Sequence, residues 1–195
     1  ALPYSAGTPA PYEERDKYAK LSGKTVMNLL TKNIRPRDIV TRKSLENAAT
    51  IVAATGGSTN LVLHIPAMAK AAGINLAMED FEDIAKLIPL MAKIYPNGLA
   101  DVNHFHAAGG LSFMINELLN EGLLHDDVKN VNGHGMSQYR NEARLIDNEI
   151  RFPSGAVTST NQKILRPLKN PFQITGGLKQ VTGNLGSAIT KVSAV

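Results

Sequence analysis

The run ATGGSTNLVLH, residues 54–64, sets two glycines directly before Ser58, Thr59 and Asn60 and follows them with apolar residues. Ser58 or Thr59 at a helix start accepts a hydrogen bond from a backbone N–H two or three residues on, which explains the polar side chains without any ligand. The glycines ask for more, because they permit positive φ and let something approach the backbone closely. A helix N-terminus with free amides and small hydroxyls is also an anion site. Two readings stand: a capped helix start, or a cradle in which Ser58, Thr59 and Asn60 contact a ligand. No Gly-Lys-Ser/Thr follows the glycines, so the stretch is not a nucleotide-type phosphate loop. His64 lies four residues after Asn60 and shares its helix face. It leans towards whatever the loop touches, or else it is a hydrogen-bonded core histidine.

Outward from this break, helical spacing dominates on both sides. A helix is expected from Tyr12 to about Lys32, with Tyr18, Leu21, Val26, Leu29 and Leu30 near one face. Pro36 separates it from a second, about Ser44 to Ala54, and the loop leads into a third, Thr59 to Ala72, closed by Gly73 as a left-handed cap. Phe81, Ile84, Ala85, Ile88, Met91 and Tyr95 continue the i, i+3, i+4, i+7 rule, with Pro89 kinking or restarting that helix. Acidic residues crowd its first turn, where they complement the helix dipole. After a turn at Pro96-Asn97-Gly98 and a short element, DVNHFHAAGG, a helix runs from Leu111 to Glu121 and stops at Gly122. Beyond Leu145 helical periodicity fades, and QITG, LKQVTG and AITKVSAV read as strands. Residues 1–11 are too rich in Pro, Gly and Ser for a regular element.

The fold class is therefore α/β: a helix-rich portion (1–160) and then, after the linker KILRPLKNP, the opening of a β-rich domain (161–195). The chain begins at Ala1 and stops within a strand-like run, so both ends read as cuts in a longer protein. Composition narrows the function. With 195 residues, 43% hydrophobic and 19% charged, the chain is long enough for a sizeable core. No apolar run approaches a membrane span, and no secretory leader is visible; a cytoplasmic origin is compatible. There is no cysteine, hence no disulfide and no thiolate-held metal on these residues. The formal charge of +4 invites an anionic partner. The basic residues are scattered and Trp is absent, which favours a small anionic metabolite over nucleic acid.

Further clusters could carry chemistry. Asp101, Asn103, His104 and His106 fall within six residues, yet on a helix the two histidines point about 200° apart, which disfavours a metal. Asp101 is expected to cap a helix, and Asn103 or His104 to hydrogen-bond a ligand's hydroxyls or carboxylate. HDD (125–127) reads as a helix start, and TGNLGSA (182–188) as a turn between strands around Asn184. No nucleophile elbow or zinc-protease motif occurs.

Read together, ATGGSTN with LH, IYPNGLADVNHFHAAGG (94–110), NELLNEGLLHDDV (116–128) and TGNLGSAITKVSAV (182–195) resemble the dihydroxy-acid and 6-phosphogluconate dehydratase family of iron–sulfur hydro-lyases. The resemblance runs from about residue 26 to 195, is weakest over 137–165, and leans to the phosphogluconate branch at YPNG and NHF. It implies a large N-terminal α/β domain, a C-terminal β-barrel-like domain and a site between them. It implies loss of water from a 2,3-dihydroxy acid: 6-phospho-D-gluconate giving 2-dehydro-3-deoxy-6-phosphogluconate, in the Entner–Doudoroff pathway. A branched dihydroxy acid or an unphosphorylated sugar acid is the alternative substrate. A non-catalytic basic binding module is the remote alternative. The implied cofactor is an iron–sulfur cluster, 4Fe-4S, with cysteine ligands that must lie outside this chain, joined in some members by a divalent cation. The implied assembly is a homodimer. No catalytic role transfers onto any residue here. Because GGSTN is shared by branches without a substrate phosphate, Ser58, Thr59 and Asn60 match the common carboxylate and hydroxyls.

Overall fold

A reciprocal cap starts the helix that leads to the glycine loop. Thr41 Oγ1 accepts from the Ser44 N–H at 3.3 Å and Ser44 Oγ accepts from the Thr41 N–H at 2.9 Å, which satisfies two amides that a helix start leaves free. The structure, a computed structural model, describes residues 8–193. The expectations for residues 1–7 and for the last two residues of the terminal strand-like run lie outside that range.

The helices are α1 (Glu14–Thr31), α2 (Pro36–Ile39), α3 (Arg42–Thr55), α4 (Asn60–Ala72), α5 (Met78–Leu87), α6 (Val102–Ala107) and α7 (Gly110–Asn120). Six short strands pair in sequence as antiparallel hairpins: β1 (Lys129–Asn130) with β2 (Gly133–His134), β3 (Arg144–Ile146) with β4 (Glu149–Arg151), and β5 (Leu178–Gly183) with β6 (Gly186–Lys191). The fold is the expected helix-rich α/β arrangement, with no closed barrel among the described residues. Asn184 and Leu185 form the two-residue turn of the β5–β6 hairpin, as the glycine-flanked Asn predicted. The β3–β4 hairpin turns on Asp147 and Asn148, both at positive φ (52° and 62°), which these two residue types tolerate best after glycine.

Two apolar clusters organise the helices. Leu45 and Ala49 of α3 pack with Ala69 of α4, Phe81 of α5 and Leu76. The larger core joins Ala53 and Ala54, at the end of α3, to Met91, Ala92, Phe105, Phe113, Met114, Leu118, Ile164 and Leu165.

Four expectations need correction. The helix read through to Tyr95 ends at Leu87: Pro89 drives Ile88 out of the helical region to φ −99°, ψ 117°. Residues 90–94 then run extended, buried at Leu90, Met91 and Ala92, with Leu90 bonded to Gln173, Ala92 to Leu165 and Ile94 to Ala100 as isolated bridges. Ile88 and Met91 are buried in the extended segment as they would be on a helix face, so spacing alone misled. Residues 125–127 start no helix. QITG contributes only the single bridge at Gln173. On α1, Val26 and Leu30 face outward, 62% and 71% exposed, while Tyr18 is the helix's only buried residue. The KILRPLKNP stretch packs on the core: the Ile164 carbonyl accepts from the Lys93 N–H at 2.8 Å, and Leu165 is fully buried.

Candidate functional site

The glycine loop lies where α3 ends and α4 begins. Gly56 caps α3 in the left-handed region at φ +64°. A Cβ there would run into Asn97 Nδ2 and would lie 3.0 Å from Ser193 Oγ. The close approach that the two glycines announced is thus made by the protein's own chain. Asn97 Nδ2 donates to the Gly56 carbonyl at 3.2 Å, and Ser193 Oγ donates to Asn97 Oδ1 at 3.1 Å. Ser58 performs the capping, its Oγ accepting from the Asn60 N–H at 3.2 Å, whereas Thr59 makes no side-chain cap bond. The backbone N–H groups of Ser58 and Thr59 donate to no acceptor among the described residues.

A cavity of about 450 Å³ opens over this loop. Thr55, Gly56, Gly57, Ser58 and Thr59 form one wall. Ile94, Tyr95, Pro96 and Asn97 form another, through a cis Tyr95–Pro96 peptide, and Lys191 reaches in from the end of β6. Lys191 is the only charged residue of the lining. Burial pushes its ammonium below the ordinary lysine range, since desolvation penalises the charged form. An anion placed against Lys191 and the free amides would reverse that penalty, so the cavity favours a carboxylate or a phosphate group.

The other residues singled out from sequence go elsewhere. Asn60 and His64 are exposed and do not line this cavity. Asp101 caps α6 as expected, accepting from the Asn103 and His104 N–H groups at 2.9 and 3.1 Å. The His104 ring turns back onto the same carboxylate at 2.8 Å. Asn103 and His104 are both exposed. His106 faces away from His104 and meets Glu142 at 3.3 Å, in a second cavity of about 420 Å³ that also includes Tyr12, Glu14 and Arg144. Asp126 is exposed and its Oδ1 accepts from the Met136 N–H. No group of three or more His, Cys, Asp or Glu among the described residues can hold a metal ion. Sequence reasoning missed Lys191 and Asn97. Lys191 carried no local signal, because only the pairing of β6 with β5 and the packing of β5 on α5 bring it to a loop more than a hundred residues upstream.

Comparison with known proteins matches residues 1–139 to the family described as dihydroxy-acid/6-phosphogluconate dehydratase N-terminal. The chain is 51% identical over 185 residues to the dihydroxy-acid dehydratase of Pelagibacter ubique (strain HTCC1062), covering 95% of this chain and 30% of that protein. It is 48% identical over 159 residues to the phosphogluconate dehydratase of Rhizobium meliloti (strain 1021), covering 81% of this chain and 26% of that protein. The phosphogluconate dehydratase of Escherichia coli (strain K12) is 45% identical, with 80% of this chain and 26% of that protein covered. The chain therefore spans less than a third of the length of these relatives.

Proposed function

This chain belongs to the dihydroxy-acid/6-phosphogluconate dehydratase family, and from that membership we propose that it is part of a hydro-lyase removing water from a 2,3-dihydroxy acid. The proposed substrate is 6-phospho-D-gluconate, with a branched dihydroxy acid as the alternative, since relatives carrying either name lie at similar identity. The single observation that supports a substrate role for this region is the cavity over the glycine loop. Ser58 and Thr59, whose amides have no acceptor among the described residues, line one side and Lys191 another, with no carboxylate in the lining.

In this reading Lys191 and the loop amides bind the substrate carboxylate. Neutralising that carboxylate eases removal of the adjacent C2 proton, because negative charge builds up on the same group as the proton leaves. Ser58 and Thr59 hydroxyls supply hydrogen bonds to neighbouring substrate oxygens. Asn60, His64, Asn103 and His104 meet substrate only if another part of the enzyme closes over their exposed surface.

The residues of this chain do not fit an iron–sulfur cluster. None of the 195 is cysteine, and no described cluster of ligating side chains replaces thiolates. No step is therefore routed through a cluster here, and the proposal assigns the elimination chemistry to other parts of the enzyme. A domain division near residue 160, a homodimeric assembly and a cytoplasmic location belong to the same proposal. No helix among the described residues is long and apolar enough to cross a membrane.

The test is a side-by-side assay of the complete, cluster-loaded enzyme on 6-phospho-D-gluconate and 2,3-dihydroxy-3-methylbutanoate, following the 2-keto acid formed. Turnover of the phosphorylated acid alone supports the proposed substrate, and turnover of the branched acid alone transfers the site to the alternative. In Lys191→Gln, loss of one charge-assisted hydrogen bond worth about 1.5–3 kcal/mol raises KM roughly 10- to 100-fold. An unchanged KM removes Lys191 from the site.

A further inference from the structure

The carbonyl of Gly56 is the meeting point of three chain segments that are far apart in sequence. Asn97 arrives from the turn after the buried extended segment and Ser193 from the residues following β6. Asn97 and Ser193 are 7% and 5% exposed, unlike the open surface around Ser58 and Thr59. Their contacts form a closed set: Asn97 Nδ2 to the Gly56 carbonyl at 3.2 Å, Ser193 Oγ to Asn97 Oδ1 at 3.1 Å, and Ser193 Oγ within 3.4 Å of the Gly56 carbonyl. A hydroxyl has one proton, so the shorter contact to Asn97 is the one it makes, and the amide then has both ends engaged. There is no slack around them. A Cβ on Gly177 would lie 2.6 Å from Ser193 Cβ and 3.0 Å from Gly56 Cα. The Val192 N–H, donating to the Gly177 carbonyl at 2.9 Å, ties the backbone just upstream of Ser193 to the same place.

We propose that Asn97 and Ser193 are positioning residues, which clamp the Gly56 carbonyl and so hold the free amides of Ser58 and Thr59 in register with Lys191. Both are tied to the cavity walls: Asn97 is part of the wall opposite the loop, and Ser193 follows Lys191 by two. A buried amide engaged at both ends costs more to disturb than an exposed one, since any displacement leaves a polar group without a partner. The clamp thus converts three separate segments into one rigid rim. Its purpose is read on the assumption that this cavity takes the substrate, while its existence is independent of that assumption.

The experiment compares wild type with Asn97→Ala, Asn97→Asp and Ser193→Ala in the complete enzyme, by hydrogen exchange over residues 56–61 and by steady-state kinetics on 6-phospho-D-gluconate and 2,3-dihydroxy-3-methylbutanoate. Loss of the clamp speeds exchange at Gly57 and Asn60, the hydrogen-bonded amides on either side of the free pair, by about tenfold, with exchange in α7 unchanged. It raises KM about tenfold and moves kcat by less than about threefold, the mark of lost binding rather than lost chemistry. In Asn97→Asp, protection corrected for intrinsic exchange returns as the pH falls and the new carboxyl regains a proton to donate to Gly56, a recovery that generic loosening does not produce. Lys191→Gln raises KM without speeding exchange in the loop. Unchanged exchange at Gly57 and Asn60 in both alanine variants overturns the clamp. Should Asn97→Ala loosen the entire molecule, Ser193→Ala, which deletes a single atom, decides. If wild type turns over neither acid, the substrate reading fails while the exchange result still judges the clamp.

Discussion

At the scale of single residues, Lys191 carries the clearest electrostatic signature in the cavity. Its ammonium is held below the ordinary lysine value by burial. The folded state therefore binds its proton less tightly than the unfolded chain does, and stability rises with pH wherever the unfolded chain holds more protons. The charged form is an unfavourable element of the fold at neutral pH, and this disadvantage fades as the pH climbs towards about 10.4, the unfolded lysine value. Lys191→Met removes the term. Denaturant midpoints measured against pH are expected to show the variant gaining on wild type at pH 7 and the two converging in alkali. Parallel curves would mean that Lys191 is not desolvated. An anionic ligand acts in the opposite sense, so the gap at pH 7 narrows when substrate is bound. The pair His106–Glu142 stands in contrast, because its carboxylate also meets Arg144 at 3.0 Å. Glu142 is thus already partnered, and this second cavity is not an open anion site.

Among the elements, α3 and α1 show how far a helical period can be trusted. The α3 pattern of Leu45, Ala48, Ala49 and Val52 is legible in the sequence, and the structure adds the Thr41 cap and the Gly56 terminus that bound a face burying Leu45 and Ala49. Thr41→Ala removes the capping oxygen and is expected to cost about 1 kcal/mol in chemical denaturation. The apolar residues of α1 obey an equally good period, yet Val26, Met27 and Leu30 are exposed. Leu30→Ser therefore changes stability by no more than about 0.5 kcal/mol, whereas a buried leucine at the same spacing would cost several times more. Periodicity reports which residues share a face and is silent on whether anything packs against it. The same blindness explains residues 88–94: Ile88, Met91 and Tyr95 keep the helical interval, and only Pro89 marks the change to an extended segment. For the site, Ser58 and Thr59 were legible because the cap, the glycines and the free amides are neighbours in sequence. Asn97 and Lys191 were not, since their partners lie 41 residues away in one case and across a hairpin in the other.

Over the whole molecule, the question is what residues 163–171 do. The sequence reads them as a linker, and within them Leu165 bridges Ala92 antiparallel, with the Arg166 N–H donating to the Met91 carbonyl and, just beyond, the Phe172 N–H to the Leu90 carbonyl, both at 2.8 Å. Leu165 enters the same cluster as Phe113 and Leu118. Arg166 lies over the Phe172 ring at 4.3 Å, which covers the outer side of the segment. These contacts place the load between the helices and the β5–β6 hairpin, because the Gly176 N–H beyond them donates to the Ala85 carbonyl on α5. Leu165→Ala is accordingly expected to lose about 2–5 kcal/mol, the range for emptying a fully buried leucine site. A tether would lose less than about 0.5 kcal/mol. The consequence reaches the cavity, since Met91 and Ala92 also donate to the Ala54 carbonyl, two residues before Gly56. Loosening Leu165 should therefore speed exchange at 54–58 together with 90–94, and a change confined to 163–171 would show that the segment and the glycine loop are mechanically separate.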